Sequence, residues 1–178
     1  LIEPEPALHP RRTVTPVADS IRSNQPWGGD MPDNQTIIRD AYNLAEVTNI
    51  PGWINAFTAD GTFTDMSTGV TYRGETLGDL VEIYGTAFSD MHRELYRFYP
   101  SDDVVVVQLA LQGTHDGPLV LPTGTIPPTG RRMDAPCCDV FELVAGKIKR
   151  FDCYPSGTVI MAQLGVLGAA EAAAASRR

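Results

Sequence analysis

The chain has 178 residues and a formal net charge of −8, a length that suits one well-buried core and is short for two domains. An anionic surface repels phosphate backbones and acidic membranes, and the only adjacent basic pairs are Arg11-Arg12, Arg131-Arg132, Lys149-Arg150 and Arg177-Arg178, so nucleic acid is excluded as an expected partner. No apolar run approaches the length that crosses a bilayer, and three cysteines cannot all pair; no membrane partner and a reducing, cytoplasmic setting are expected.

The first segment, residues 1–33, holds Pro4, Pro6, Pro10, Pro16, Pro26 and Pro32, which disfavours helix and sheet. It reads as an extended arm that Ile21 and Trp27 could dock. Asp33 or Asn34 then caps a helix on which Ile37, Ile38, Ala41, Leu44 and Ala45 recur at helical spacing. Pro51 opens a second, short helix carrying Trp53, Ile54 and Phe57, which Asp60-Gly61 ends in a turn. Phe63 to Met66 and Val70 to Tyr72 form a short strand pair, and a third helix runs from about Glu75 to Phe88.

From His92 the pattern alternates. Strands are expected at His92 to Tyr99, Val104 to Gly113, Met133 to Val144 and Lys147 to Tyr154, with a Gly/Pro-rich loop from Gly117 to Gly130. Pro136 lacks a ladder donor, so its strand should begin at a bulge or an edge there. A last helix, Ser156 to Leu164, closes one end, and residues 167–178 read as an Ala-rich tail. Helices first and antiparallel strands afterwards define an α+β domain over residues 34–166.

Four stretches carry a resemblance: Gly113-Thr114-His115-Asp116-Gly117-Pro118, Pro127-Pro128-Thr129-Gly130-Arg131-Arg132, Gly146-Lys147-Ile148 and Gln163-Leu164-Gly165. Together they resemble the SnoaL-like polyketide cyclases of the nuclear transport factor 2-like superfamily, with looser likeness through Tyr72-Arg73-Gly74 and Asp90-Met91-His92. The resemblance implies a cone of curved mixed or antiparallel sheet, with N-terminal helices enclosing one pocket. It also implies a homodimer through the sheet, and a pocket that works without metal or organic cofactor. In the cyclases a carboxylate on the last strand removes a carbon-bound proton and starts an aldol closure; the nearest acid here is Asp152. Aligned without gaps from Gly146 to Gln163, Cys153 takes that position and Asp152 falls one residue early. A histidine usually stands two residues before the aspartate, where Arg150 precedes Asp152.

Strict alternation puts Ile148, Arg150, Asp152 and Tyr154 on one strand face, and Lys147, Lys149, Phe151 and Cys153 on the other. The lysines make the second face the solvated one, which turns Asp152 and Tyr154 inward, Asp152 as base or acid. An ion pair of Asp152 with Arg150 is the bland alternative. His115 continues the apolar face of Val105, Val107, Leu109 and Leu111 and could assist, or could simply tie down the next loop. His92 shares a mixed face with Glu94, Tyr96 and Phe98. Asp65 and Asp139 could each supply a second carboxylate, against readings as a turn acid and a strand-edge acid. Tyr42, Trp53, Tyr72, Tyr84 and Tyr154 are candidate pocket walls, each more ordinarily core. Cys138 and Cys153 are weighed as thiols that pack and, less often, react. No Cys-x-x-Cys and no clustered His point to a metal.

These residues define an expectation: a cofactor-independent enzyme acting on an apolar polyketide-like or polycyclic molecule by proton transfer next to a carbonyl. Isomerisation, dehydration and epoxide opening use nearly the same groups, and a non-catalytic ligand-binding cone is the alternative from another class.

Overall fold

The computed structural model of the protein describes residues 33–167. The arm before residue 33 and the tail after residue 167 lie outside them. Helix α1, Asn34–Glu46, starts where the Asp33 carboxylate accepts a hydrogen bond from the Thr36 amide at 2.7 Å, and it buries Ile38, Ala41, Tyr42 and Ala45. Helix α2, Ile50–Asn55, is capped by Asn49 and has Pro51 in its first turn. Its Trp53 indole donates to the Leu77 carbonyl at 2.8 Å, which satisfies the one polar atom of a buried ring.

Strands β1 (Phe57–Asp65) and β2 (Val70–Arg73) follow, then a short 3-10 turn over Gly74–Gly78 leading into α3, Asp79–Ala87. Strands β3 (His92–Ser101) and β4 (Val104–Thr114) form a hairpin; β5 (Leu119–Leu121) and β6 (Gly124–Ile126) form a small one. Strands β7 (Arg132–Val144) and β8 (Lys147–Pro155) lead to α4, Gly157–Leu164. The main sheet has the order β2-β1-β8-β7-β4-β3, antiparallel throughout except for the parallel β1–β8 pair. It is a curved, unclosed, mixed sheet in an α+β domain, as the sequence pattern and the resemblance lead one to expect. The core joins Ile38, Tyr42, Trp53 and Val81 of the helices to Phe63, Leu109, Phe141 and Phe151 of the sheet.

Four local readings need correction. Asp60-Gly61 does not end a helix; it lies within β1, where Phe57 pairs with Ile148 and Thr62 with Arg150, so the strand begins at Phe57 and bulges before Thr62. The third helix is a 3-10 turn followed by α3, with Gly78 at the junction. The loop from Gly117 to Gly130 contains the β5–β6 hairpin. The strand carrying Pro136 begins at Arg132, yet β8 pairs with β7 only from Cys137 onward, and the Pro136 carbonyl accepts from the Ser156 amide just beyond that ladder. A strand residue points its N and its C=O to the same side, so the missing donor faces the end of β8 and costs no ladder bond.

No helix among the described residues is long and apolar enough to cross a membrane.

Candidate functional site

A narrow cavity of about 40 Å³ lies between the inward face of the sheet and helices α1, α2 and α3. Its walls include Tyr42, Trp53, Leu80, Val81 and Tyr84 from the helices and Phe63, Arg93, Asp139, Phe151 and Cys153 from the strands. Phe151 stacks between Phe63 and Phe141, with ring centroids 4.4 and 4.2 Å away. Trp53 meets Phe63 and Phe151 edge-on, so one wall is almost wholly aromatic.

The polar centre is Asp139. Residues of β7 alternate strictly, with Met133, Ala135, Cys137, Asp139, Phe141 and Leu143 buried and their neighbours outward, and that places a carboxylate among core side chains. Asp139 is only 2% exposed. The Tyr42 hydroxyl donates to its Oδ2 at 2.6 Å and the Cys137 thiol to its Oδ1 at 3.2 Å. Burial pushes its pKa up, outweighing the hydrogen bonds from Tyr42, Cys153 and Cys137 and the nearby Arg93 charge. Burial and the same carboxylate push the Tyr42 hydroxyl well up, and the Cys137 bond, burial and Asp139 do the same to the Cys153 thiol. The carboxyl and phenol are therefore held toward their neutral, proton-donating forms.

Arg93 supplies the cavity's cation. Its amide donates to Glu46 Oε1 at 2.7 Å, while its buried Nη1 has no hydrogen-bond partner among the described residues. An unpaired guanidinium N–H at a cavity wall is a ready donor for an anionic oxygen.

Asp65 ends β1, beside Cys153 in the parallel ladder, and is 4% exposed. Its Oδ1 accepts from the Ser67 amide and hydroxyl at 2.9 and 2.7 Å, and its Oδ2 from the Thr68 hydroxyl at 3.0 Å. It also lines an adjacent cavity of about 200 Å³ with Tyr72, Ile83, Val120 and Leu121, and Leu80 lines both cavities.

Several sequence-derived candidates lie elsewhere. Asp152 does not line the cavity: its carboxylate pairs with Arg150 at 2.6 Å, on the sheet face opposite Phe151 and Cys153. The reason is a bulge in β8. Glu142 pairs with Arg150 and Leu143 with Ile148, leaving Lys149 as an extra residue; Ile148, Phe151 and Cys153 then all turn inward. The same slip puts Tyr154 outward, 44% exposed. His115 is fully buried but off the cavity. The Thr129 amide donates to its Nδ1 at 3.3 Å, so the neutral ring carries its proton on Nε2, which is buried with no partner among the described residues. Burial lowers its pKa against the opposing pull of Asp116. His92 stands on the surface between Glu46, 3.0 Å from Nδ1, and Glu94, 3.4 Å from Nε2. Tyr72 packs on Phe63 and lines the adjacent cavity. Tyr42, Trp53, Tyr84 and Asp139 meet at the cavity, as four of the named candidates.

Arg93, Cys137, Phe63 and Phe151 complete the site and were not singled out as site residues. Arg93 had a signal: Met91 and Leu95, both packed against the core, flank it at period two.

Comparison with known proteins places the chain by family. The family model described as the SnoaL-like domain matches residues 38–151, and the chain belongs to that family. A structure from Catenulispora acidiphila, described as having a ketosteroid isomerase-like fold and solved with trimethylamine, superposes with a TM-score of 0.61 at 21% identity, covering 73% of this chain and 92% of that one. A protein of Jannaschia described as a SnoaL-like polyketide cyclase gives 0.65 at 18% identity, over 74% and 90%. IdmH of Streptomyces antibioticus, described as a polyketide cyclase, gives 0.64 at 19%, over 76% and 100%. At these identities the likeness is one of fold. No curated protein sequence gives a significant match.

Proposed function

We propose that the protein is a cofactor-independent enzyme that moves a proton next to a carbonyl group of a small apolar molecule. The observation carrying this reading is the buried Tyr42–Asp139 pair, 2.6 Å apart on the wall of an apolar, aromatic cavity. A carboxylic acid kept neutral by an apolar site, next to a tyrosine, donates hydrogen bonds to an enolate oxygen as its charge develops. Arg93, with its free N–H, adds positive potential at the same wall. The proton acceptor in this reading is Asp65, a buried acid opposite Cys153 in the β1–β8 ladder and on the wall of the adjacent cavity, in place of Asp152, which faces away from both.

The reaction then needs no electron sink beyond the carbonyl. Asp65 takes the carbon-bound proton, the electron pair moves to the carbonyl oxygen, and the neutral Asp139 carboxyl, itself held by the Tyr42 hydroxyl, donates to that oxygen. Attack of the enolate carbon on a second carbonyl of the same substrate gives aldol closure; return of the proton to a different carbon gives isomerisation. Which follows depends on the substrate's own groups. Pockets for drug-sized ligands run to about 300–1,000 Å³, so in this reading a polycyclic substrate requires the cavity walls, Leu80 shared with the adjacent cavity among them, to move apart.

The test is exchange of carbon-bound hydrogen for deuterium in a panel of apolar ketones and 1,3-diketones, followed by nuclear magnetic resonance. Asp139→Asn and Tyr42→Phe should each lower exchange about 10²–10³-fold, and Asp65→Asn about 10²–10⁴-fold, with thermal midpoints checked alongside. Saturable binding without exchange would instead support a ligand-binding protein, a reading favoured by the three hydrogen bonds that already occupy Asp65.

A further inference from the structure

The β7–β8 register brings three ligand-type atoms together. Asp139 stands opposite Cys153, and Cys137 lies two residues before Asp139 on the same buried face. The two sulfurs are 3.6 Å apart, Cys137 Sγ is 3.2 Å from Asp139 Oδ1, and all three donor atoms fall within 4.8 Å of one another. Sequence spacing gives no hint of this cluster, because the cysteines are separated by a whole hairpin.

Two chemistries suit a close pair of thiols, a disulfide and a shared metal ion, and the geometry separates them. Cys137 pairs with Pro155 and Asp139 with Cys153, so the two cysteines are diagonal neighbours. Diagonal residues of an antiparallel pair are about 7–8 Å apart, whereas a disulfide wants Cα atoms about 4.4–6.8 Å apart. Closing the bond would require the backbone to move. A tetrahedral ion with metal–sulfur bonds of about 2.3 Å instead holds its two sulfurs about 3.8 Å apart, close to the gap already present.

We propose that Cys137, Asp139 and Cys153 form a binding site for a thiolate-preferring divalent ion of the zinc type, with its fourth position open to the cavity. Thiolates select such ions over magnesium or calcium. The surroundings supply what a metal site needs beyond its ligands. The Tyr42 hydroxyl holds Asp139 Oδ2 and leaves Oδ1 toward the sulfurs, an outer-shell contact that fixes the carboxylate. Two thiolates and one carboxylate exceed a divalent ion by one negative charge, and the cavity's Arg93 offers the matching positive charge. As the ion binds, each thiol and the protonated Asp139 carboxyl release their protons to water. The ion would engage the same carboxylate as the acid–base chemistry proposed above, but its binding does not depend on that chemistry.

The test is titration of the reduced, metal-free full chain with Co²⁺, a spectroscopic stand-in for Zn²⁺. The expected result is one ion per chain, thiolate-to-cobalt charge-transfer absorption in the near ultraviolet, intense visible bands of tetrahedral cobalt, and displacement by Zn²⁺. Cys138→Ala, on the outer face, should leave the titration unchanged. Cys137→Ser and Cys153→Ser should each weaken binding at least about tenfold, and Tyr42→Phe about 10–100-fold. Absence of the charge-transfer band, or its survival in the Cys137→Ser/Cys153→Ser double variant, overturns the site. Should the serine variants fail to fold, X-ray absorption on the wild-type zinc complex decides: sulfur scatterers at about 2.3 Å support it, and a shell of oxygen and nitrogen alone refutes it.

Discussion

At the residue scale, Asp152→Asn is expected to leave both turnover and fold nearly intact. Its partner Arg150 is 59% exposed while the Asp152 side chain is 7% exposed, so water screens the pair from the arginine side; an asparagine keeps the shape and still accepts from the guanidinium, which limits the loss to about 1 kcal/mol. Thermal melts within a few degrees of wild type, with unchanged ketone exchange, are the expected outcome; a loss of exchange comparable with that of Asp139→Asn would restore Asp152 to the chemistry. The sequence reading came within one residue of the inward-facing position here. Period-two alternation identified a strand and an inward face, but a single extra residue at Lys149 exchanges the two faces beyond it. The ungapped alignment that puts Cys153 in the family's aspartate position agrees with the inward direction seen in the structure. Asp139 was legible in another way, as an acid alternating with Phe141 and Leu143, a pattern that burial alone makes chemically unusual.

At the element scale, the long strands were readable because β7 keeps strict alternation over 13 residues and β4 does so over 11 except at the buried Ala110, while the β5–β6 hairpin was not. Its strands are three residues each, too short for a periodic signal and set among glycines and prolines. Tertiary contacts hold the excursion instead. The Asp116 and Gly117 amides both donate to the Ala87 carbonyl at 3.1 Å, and His115 grips Thr129 at the far end. Gly117 is the tightest of these points: a Cβ built there would overlap the Thr86 carbonyl oxygen, which is backbone and cannot swing away. Gly117→Ala is therefore expected to destabilise by about 1–3 kcal/mol, seen as a lower urea midpoint. An unchanged midpoint would mean that α3 and the hairpin can separate freely. Because α3 lines both cavities through Leu80, the same variant should also alter ligand affinity more than its stability loss alone explains.

At the scale of the whole molecule, the outward face of the sheet carries more apolar surface than a monomer needs. Tyr96 is 59% exposed, Tyr99 48%, Tyr154 44% and Val104 38%, and all lie on the central or edge strands β3, β4 and β8. A groove on this face runs past Tyr96, Tyr99, Val106, Gln108, Cys138 and Tyr154. The resemblance implies pairing through the sheet, and tyrosines are the residues that give a large contact area at low entropic cost. The expected state is a homodimer at micromolar concentration, with this face of one protomer against the same face of its partner, as two-fold symmetry requires. Tyr154 and Tyr96 would then be buried in pairs, and a carboxylate introduced at either would lose its water and face its symmetry mate or close neighbours. Tyr96→Glu and Tyr154→Glu should each shift the sedimentation equilibrium toward monomer by at least about tenfold in dissociation constant, given the 2 kcal/mol or more lost at interface hot spots. Neither substitution touches the cavity wall, so ketone exchange per folded chain should persist in the monomer. A wild-type chain that sediments as a monomer at these concentrations, or tyrosine variants that remain dimeric, would assign the exposed tyrosines to some contact other than this one.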